Sequence, residues 1–315
     1  MDGVPGMTQC PIASGSCFTY RFQADLYGTT WWHSHWSSQY GSGLAGPMVI
    51  YGPNNTAYDV DLGPVMVSDW YHEYYENVID ALLEPLPAVN IPMSDNNLIN
   101  GKNSFNGNNA PLASFNFTSG KIRFINPSAA ATQKISIDGH SMTVIANDFV
   151  EIEPYTTDHV TLAVGQRTDV IVKATGQPSD AVWMRGYKPP PCWPTRGGDE
   201  VKAAIFYEDA DRSETPTSAP GPNAYDQYCG NDQLSQTVPS FALSPGDPAV
   251  TEILPIEFKP NGSGAPGSDS NLLWWMANRT FGADYNDPIL LDAAEGHLDF
   301  PEIRNVHSRW LATAL

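Results

Sequence analysis

His33-Ser34-His35 is the single His-x-His in the sequence, and it is where metal chemistry would concentrate. In an extended strand, residues two apart face the same side, so both imidazoles can be offered to one metal centre, and imidazole suits copper or zinc. The spacing alone is a weak signal, because packed and surface histidines are common. The other histidines add little. His72 opens His72-Glu73-Tyr74-Tyr75-Glu76, which begins like a helical zinc-protease signature but lacks its second imidazole, so His72 is assigned to the first turn of an amphipathic helix. His140, after Ile137-Asp138-Gly139, is expected to make a structural hydrogen bond, while His159, His297 and His307 have no second donor nearby in sequence.

Other chemistries find no support. There is no Gly-x-Ser-x-Gly elbow and no phosphate loop. The cysteines Cys10, Cys17, Cys192 and Cys229 allow three pairings. Cys192 with Cys229 is favoured because it tethers a long connection, and Cys10 and Cys17 either pair with each other or stay free. No cysteine lies within five residues of a histidine, which counts against a local Cys-and-His metal site.

The elements that would position the histidines read as short strands. Phe18, Tyr20, Phe22 and Ala24 alternate with polar residues, Thr29 to Trp36 follows as a second strand, and Gly46 to Tyr51 closes a three-strand group. Residues 59–210 then carry regularly spaced segments punctuated by turns, the mark of one complete antiparallel Greek-key sandwich. A single helix is predicted from Trp70 to Leu83, capped by Ser68 or Asp69. Residues 211–250 are rich in Ser, Thr, Pro, Gly and Asp and read as a connecting segment. Residues 251–315 look like the start of a further domain, and residues 1–58 like the later part of an earlier one. The expected fold class is all-β, with one complete sandwich and two partial ones.

Composition narrows the function. The 26 glycines and 27 prolines among 315 residues disfavour long helices. A formal charge of −19 repels phosphate backbones and anionic membrane surfaces, so nucleic-acid and membrane partners are not expected. No run reaches the ~18 apolar residues a membrane helix requires. Asn54, Asn116, Asn261 and Asn278 each begin an N-glycosylation sequon, which favours a secreted protein. The opening residues carry no export signal, with Asp2 where a basic residue would stand. The native amino terminus is therefore expected upstream of Met1.

Residues 27–53, YGTTWWHSHWSSQYGSGLAGPMVIYGP, closely resemble the second copper-ligand motif of fungal, ascomycete-type laccases, multicopper oxidases built of three cupredoxin domains. MDGVPGMTQCPI, VMVSDWYHE and residues 137–172 are similar to the same family, the last to its second cupredoxin domain. The resemblance implies copper as cofactor, with His33 and His35 each ligating one copper of the type 3 pair, and one-electron oxidation of phenolic donors coupled to reduction of dioxygen to water. It also implies that the other ligand motifs lie outside this chain, since residues from His307 to Leu315 no longer follow the family. The chain is thus expected to be truncated at both ends and inactive alone, with a family partner for Cys10 that it lacks. Ala129-Ala130-Ala131 fall where many relatives place an acid that holds the phenol. The alternatives are a non-catalytic secreted glycoprotein or single-metal binder on a cupredoxin scaffold, or a parent acting as ferroxidase or pigment oxidase.

Overall fold

The computed structural model describes residues 10–53, 56–84, 91–108, 110–242, 246–248, 251, 253–261, 271–276 and 278. Its strands are β1 (Gly28–His33), β2 (Ala45–Ile50), β3 (Asp61–Trp70), β4 (Asn96–Ile99), β5 (Ala113–Asn116), β6 (Gly120–Ile125), β7 (Gln133–Ile137) and β8 (Met142–Asn147), followed by β9 (Val150–Thr157), β10 (His159–Leu162), β11 (Arg167–Val172), β12 (Ala181–Tyr187), β13 (Glu200–Phe206), β14 (Ile256–Pro260) and β15 (Leu272–Met276). One described α-helix, α1, spans Tyr75–Leu82. The described residues gather into two compact units. One contains β1 to β13 and the chain up to Ala242; the other contains most of α1 together with β14 and β15.

The period-2 patterning of the 59–210 block becomes two facing sheets, ordered β4-β3-β6-β11-β8-β9 and β10-β7-β12-β13-β5. Val67, Phe124, Met142, Val144 and Val170 point inward from the first and Ile135, Val160, Met184 and Ile205 from the second, forming one continuous buried cluster. The ladders are mostly antiparallel, with two exceptions that correct the antiparallel expectation: β3 pairs parallel with β6, and β13 parallel with β5. Both pairs join strands separated by long stretches of chain, which is what a parallel pairing needs.

Three local readings change. The helix starts at Tyr75 rather than Trp70, because Trp70 completes β3 opposite Asn96, and Asp69 is a buried strand residue, not a cap. His72 accordingly precedes the helix, its ring stacked on Phe105 at 3.8 Å. Residues 10–26 form no strand: Phe18, Tyr20 and Phe22 alternate as a strand would but stand about half exposed or more, at 54%, 50% and 66%, with no described strand to pair with them, and the Phe18 and Tyr20 rings meet edge-on at 4.7 Å. The expected three-strand group is therefore the β1–β2 hairpin alone. β9 escapes the sequence reading because Pro154 interrupts it, and proline is tolerated there because β9 is an edge strand.

Residues 211–242 contain no strand and run over the sandwich as a strap. Lys134 Nζ pairs with Asp226 at 2.8 Å, the Thr161 N–H donates to Asp232, and the Ser218 hydroxyl donates to Asp138 at 2.7 Å. The Cys192–Cys229 disulfide fastens the strap, and Cys10 and Cys17 are free and exposed. Closing a loop across the 37 positions between Cys192 and Cys229 restricts the unfolded chain, so C229S is expected to destabilise by about 3–4 kcal/mol. Denaturant melts of parent and variant measure this, and peptide mapping without reductant should show the 192–229 link with Cys10 and Cys17 open to alkylation.

Candidate metal centre

Alternation along β1 places Thr29, Trp31 and His33 on one side of the strand. Thr29 is fully buried and sits between opposite charges: its hydroxyl donates to Asp169 Oδ1 at 2.5 Å and accepts from Arg123 Nη1 at 2.8 Å. Asp169 also takes Lys121 Nζ at 2.7 Å and Arg123 at 3.0 Å, and Arg123 makes a forked pair with Asp61. Burial opposes ionisation of Asp61 most strongly, yet the Arg123 hydrogen bonds, the Gly63 N–H and the Arg123 and Lys121 charges together outweigh it and hold the carboxyl below the ordinary range. Arg167 Nε donates to the Thr29 carbonyl at 2.8 Å, and the Trp31 indole N–H donates to the Gly165 carbonyl at 3.3 Å. The hairpin is thereby clamped onto the β6–β11 face of the sandwich.

His33 ends β1 opposite Ala45, half-buried, and its ring stacks on Trp31 at 4.0 Å between centroids. His35 lies just past the strand and is exposed, which corrects its placement inside it. The two imidazoles nevertheless come together, stacked at 4.6 Å with 29° between planes. Tyr40 closes the other flank, edge-on to His33 at 5.3 Å and to Trp31 at 6.0 Å. The turn between the strands is set locally. The Ser34 hydroxyl donates to the Gln39 side chain at 2.7 Å and accepts the Trp36 N–H at 3.1 Å. Gly43 adopts φ +92°, and any Cβ on Gly46 would lie 2.6 Å from the Trp32 indole that crosses it.

Beneath Tyr40 lies Asp69, whose carboxylate accepts the N–H groups of Ala129 at 2.8 Å and of Ala130 and Ala131 at 3.0 Å each. Burial still raises its pKa, the three N–H bonds only partly offsetting the desolvation. Burial, then the Asp69 charge, pushes the Tyr40 phenol up to about 12. Ala129, Ala130 and Ala131 therefore have their amides committed to Asp69.

As a metal centre the arrangement is partial. Two imidazoles are present, and among the described residues no group of three or more His, Cys, Asp or Glu side chains is arranged to hold an ion. The pair fits copper by donor chemistry and would share a centre completed by further donors. His140 is a structural residue, as expected: Nδ1 meets the Asp138 carbonyl at 2.7 Å and Nε2 the Tyr207 hydroxyl at 2.6 Å. His159 binds Asp158 at 2.8 Å, while His297, His307 and Asn54 fall outside the described residues. Sequence reasoning passed over Thr29, Asp61, Lys121, Arg123 and Asp169. The signal of the last four was charge within apolar strands, which alternation assigns to a solvent face, and Thr29 carried none.

Comparison with known proteins gives this geometry a context. Two profiles described as multicopper oxidase match residues 61–193 and 1–55. Laccase-2 of Botryotinia fuckeliana is 36% identical over 306 residues, covering 91% of this chain and 50% of its own length. The oxidoreductase OpS5 of Beauveria bassiana (strain ARSEF 2860) is 40% identical over 271 residues, covering 80% and 44%. The structure of the laccase from Botrytis aclada superposes with a TM-score of 0.74 at 35% identity, over 88% of this chain and 50% of that one. The chain spans about half the length of the curated relatives it matches.

Two substitutions test the clamp. T29V removes the hydroxyl between Asp169 and Arg123 and should cost about 1–3 kcal/mol, with faster hydrogen exchange along the β1–β2 ladder. D61N tests the electrostatics. Because the folded carboxyl titrates below its unfolded value, its contribution is present above the ordinary Asp range of about pH 4 and is lost as pH falls through the folded value. D61N should therefore be less stable than the parent at neutral pH, with the two urea midpoints converging in acid.

Proposed function

Because the chain belongs to the multicopper oxidase family, we propose that it supplies one His-x-His pair to the copper cluster of a laccase-like oxidase. His33 and His35 each take one copper of the type 3 pair. The donors are phenolic or related small molecules, the acceptor is dioxygen and its product is water. Copper bound there would supply the one-electron chemistry that links the two. The protein's own contribution is positioning: the buried clamp on Thr29 sets the direction of β1, Trp31 supports the His33 ring from one side, and Tyr40 shields its edge from water. The observation that carries this reading is the stacked His33–His35 pair at the end of an anchored strand.

The chain by itself is inactive in this reading. Its sequence has seven histidines and no cysteine close to any of them, so it offers no thiolate-centred type 1 ligand set to receive electrons from a donor. The net charge of −19, the sequons and the Cys192–Cys229 disulfide support a secreted protein that matured in an oxidising compartment.

Copper quantification and oxygen uptake test the assignment. The copper-loaded chain should bind copper weakly, show no blue thiolate band, and consume oxygen with a phenolic donor no faster than free copper. The H33A/H35A double variant should lose the bound copper and leave oxygen uptake unchanged. Binding that survives the double substitution would remove these histidines from the site. Sustained four-electron turnover abolished by it would show that the chain holds a complete ligand set.

A further inference from the structure

The sandwich has four edge strands, and the structure treats them unequally. β9 is covered by the strap, where the Glu153 N–H donates to the Val238 carbonyl at 2.8 Å and the Ser240 N–H to the Glu151 carbonyl at 2.9 Å. β10 is blocked by Asp232, which accepts the Thr161 N–H at 3.2 Å on both oxygens. At β4, Ile99 exchanges backbone bonds with Lys102, which turns the chain back on itself. β5 differs. It pairs with β13 on one side, and among the described residues no strand pairs on the other.

Ala113 and Phe115 of β5 face the core, so Ser114 and Asn116 stand on the outer face and are exposed. The Phe117 N–H donates to the Phe206 carbonyl at 2.8 Å. Backbone groups alternate sides along a strand, so those of Ser114 and Asn116 point to the open edge. Beside them Ala204 and Phe206, the register partners of Ser114 and Asn116, are already covered in a second buried cluster with Trp183, so what stays open at β5 is its backbone edge. An open edge, with its unpaired N–H and C=O groups, is a template for strand addition by another copy. Asn116-Phe117-Thr118 places an N-glycosylation sequon at that edge, with Asn116 and Thr118 both exposed.

We propose that Asn116 carries an N-linked oligosaccharide that covers the open edge of β5 and blocks edge-to-edge pairing between copies. The co-reactant is an oligosaccharide on a polyprenyl pyrophosphate. The bond from Asn116 Nδ2 to the first sugar's C1 forms, the C1–O bond to pyrophosphate breaks, and Nδ2 loses one proton to a base. The proposal rests on the secretory reading above. The other described acceptors have different surroundings: Asn261 Oδ1 accepts the Asn271 N–H at 2.9 Å, and Asn278 Oδ1 accepts from Lys259 at 3.1 Å. Both belong to the other compact unit, with β14 and β15.

The test is expression of the whole chain in a eukaryotic secretory host with an appended leader, followed by mass mapping of sugar at each sequon. Oligomer distribution is then measured by analytical ultracentrifugation for the parent, N116Q, T118A and the control S263A. Asn116 should be occupied. N116Q and T118A should each raise the oligomer fraction several-fold over S263A, and adding S114K, a charge on the same edge, should restore the parent distribution. Sugar at Asn261 or Asn278 with Asn116 bare overturns the proposal and leaves the secretory reading standing; a chain bare at every sequon sinks both. An occupied Asn116 whose loss leaves the oligomer fraction unchanged refutes the shielding role.

Discussion

Asp169 is the group on which the placement of the histidines depends. It faces Arg123 across the β6–β11 ladder, and together with Lys121 the three charges lie on the side of the sheet opposite the core. That side is closed by the β1–β2 hairpin, so the charges are buried and must satisfy one another. A buried charge stripped of its partner costs roughly 3–5 kcal/mol, which makes the cluster tolerable only when complete. Thr29 is the hairpin's contribution to completing it. A slip of β1 by one residue would turn Thr29 away and with it Trp31 and His33, because side chains alternate along a strand. The electrostatic demand of one buried carboxylate thus selects which face of β1 carries the imidazole.

The second organising feature is the strap of residues 211–242. It covers the β9 edge by backbone bonds and the β10 edge through Asp232, and it fills polar needs deeper in the sandwich. Arg185, buried on β12, forks to Asp138 at 2.8 Å through Nε and Nη2, and Ser218 and Tyr225 of the strap join that network. Lys134, almost wholly buried, finds its countercharge in Asp226, whose pKa the Lys134 hydrogen bond lowers. A segment whose composition reads as a loose connection is tied down at several points because the sandwich left charges and edges for it to meet.

Around the histidines the polar groups are arranged for support more than for reaction. Asp69 collects three amides from Ala129, Ala130 and Ala131, while the burial of Tyr40 itself and then the Asp69 charge keep its phenol protonated well beyond neutral pH. The phenol therefore packs against His33 as a neutral ring.

Much was legible in the residues themselves. The strand-rich pattern, the pairing of Cys192 with Cys229, the structural role of His140 and the nearness of His33 to His35 all follow from local periodicity, from spacing or from the choice among four cysteines. These are short-range properties that any partner surface would leave intact. What the tertiary structure decided was which polar positions become interior. Alternation assigns Lys121, Arg123 and Asp169 to a wet face, and it predicts a strand at Phe18 to Ala24 and a helix cap at Asp69. The outcomes were reversed: the hairpin buries the three charges, no described neighbour pairs with residues 18–24, and β3 runs on through Asp69 because Asn96 and Asn97 are there to pair with it. Periodicity encodes the sides of an element, but whether each side meets water or protein depends on surfaces distant in sequence.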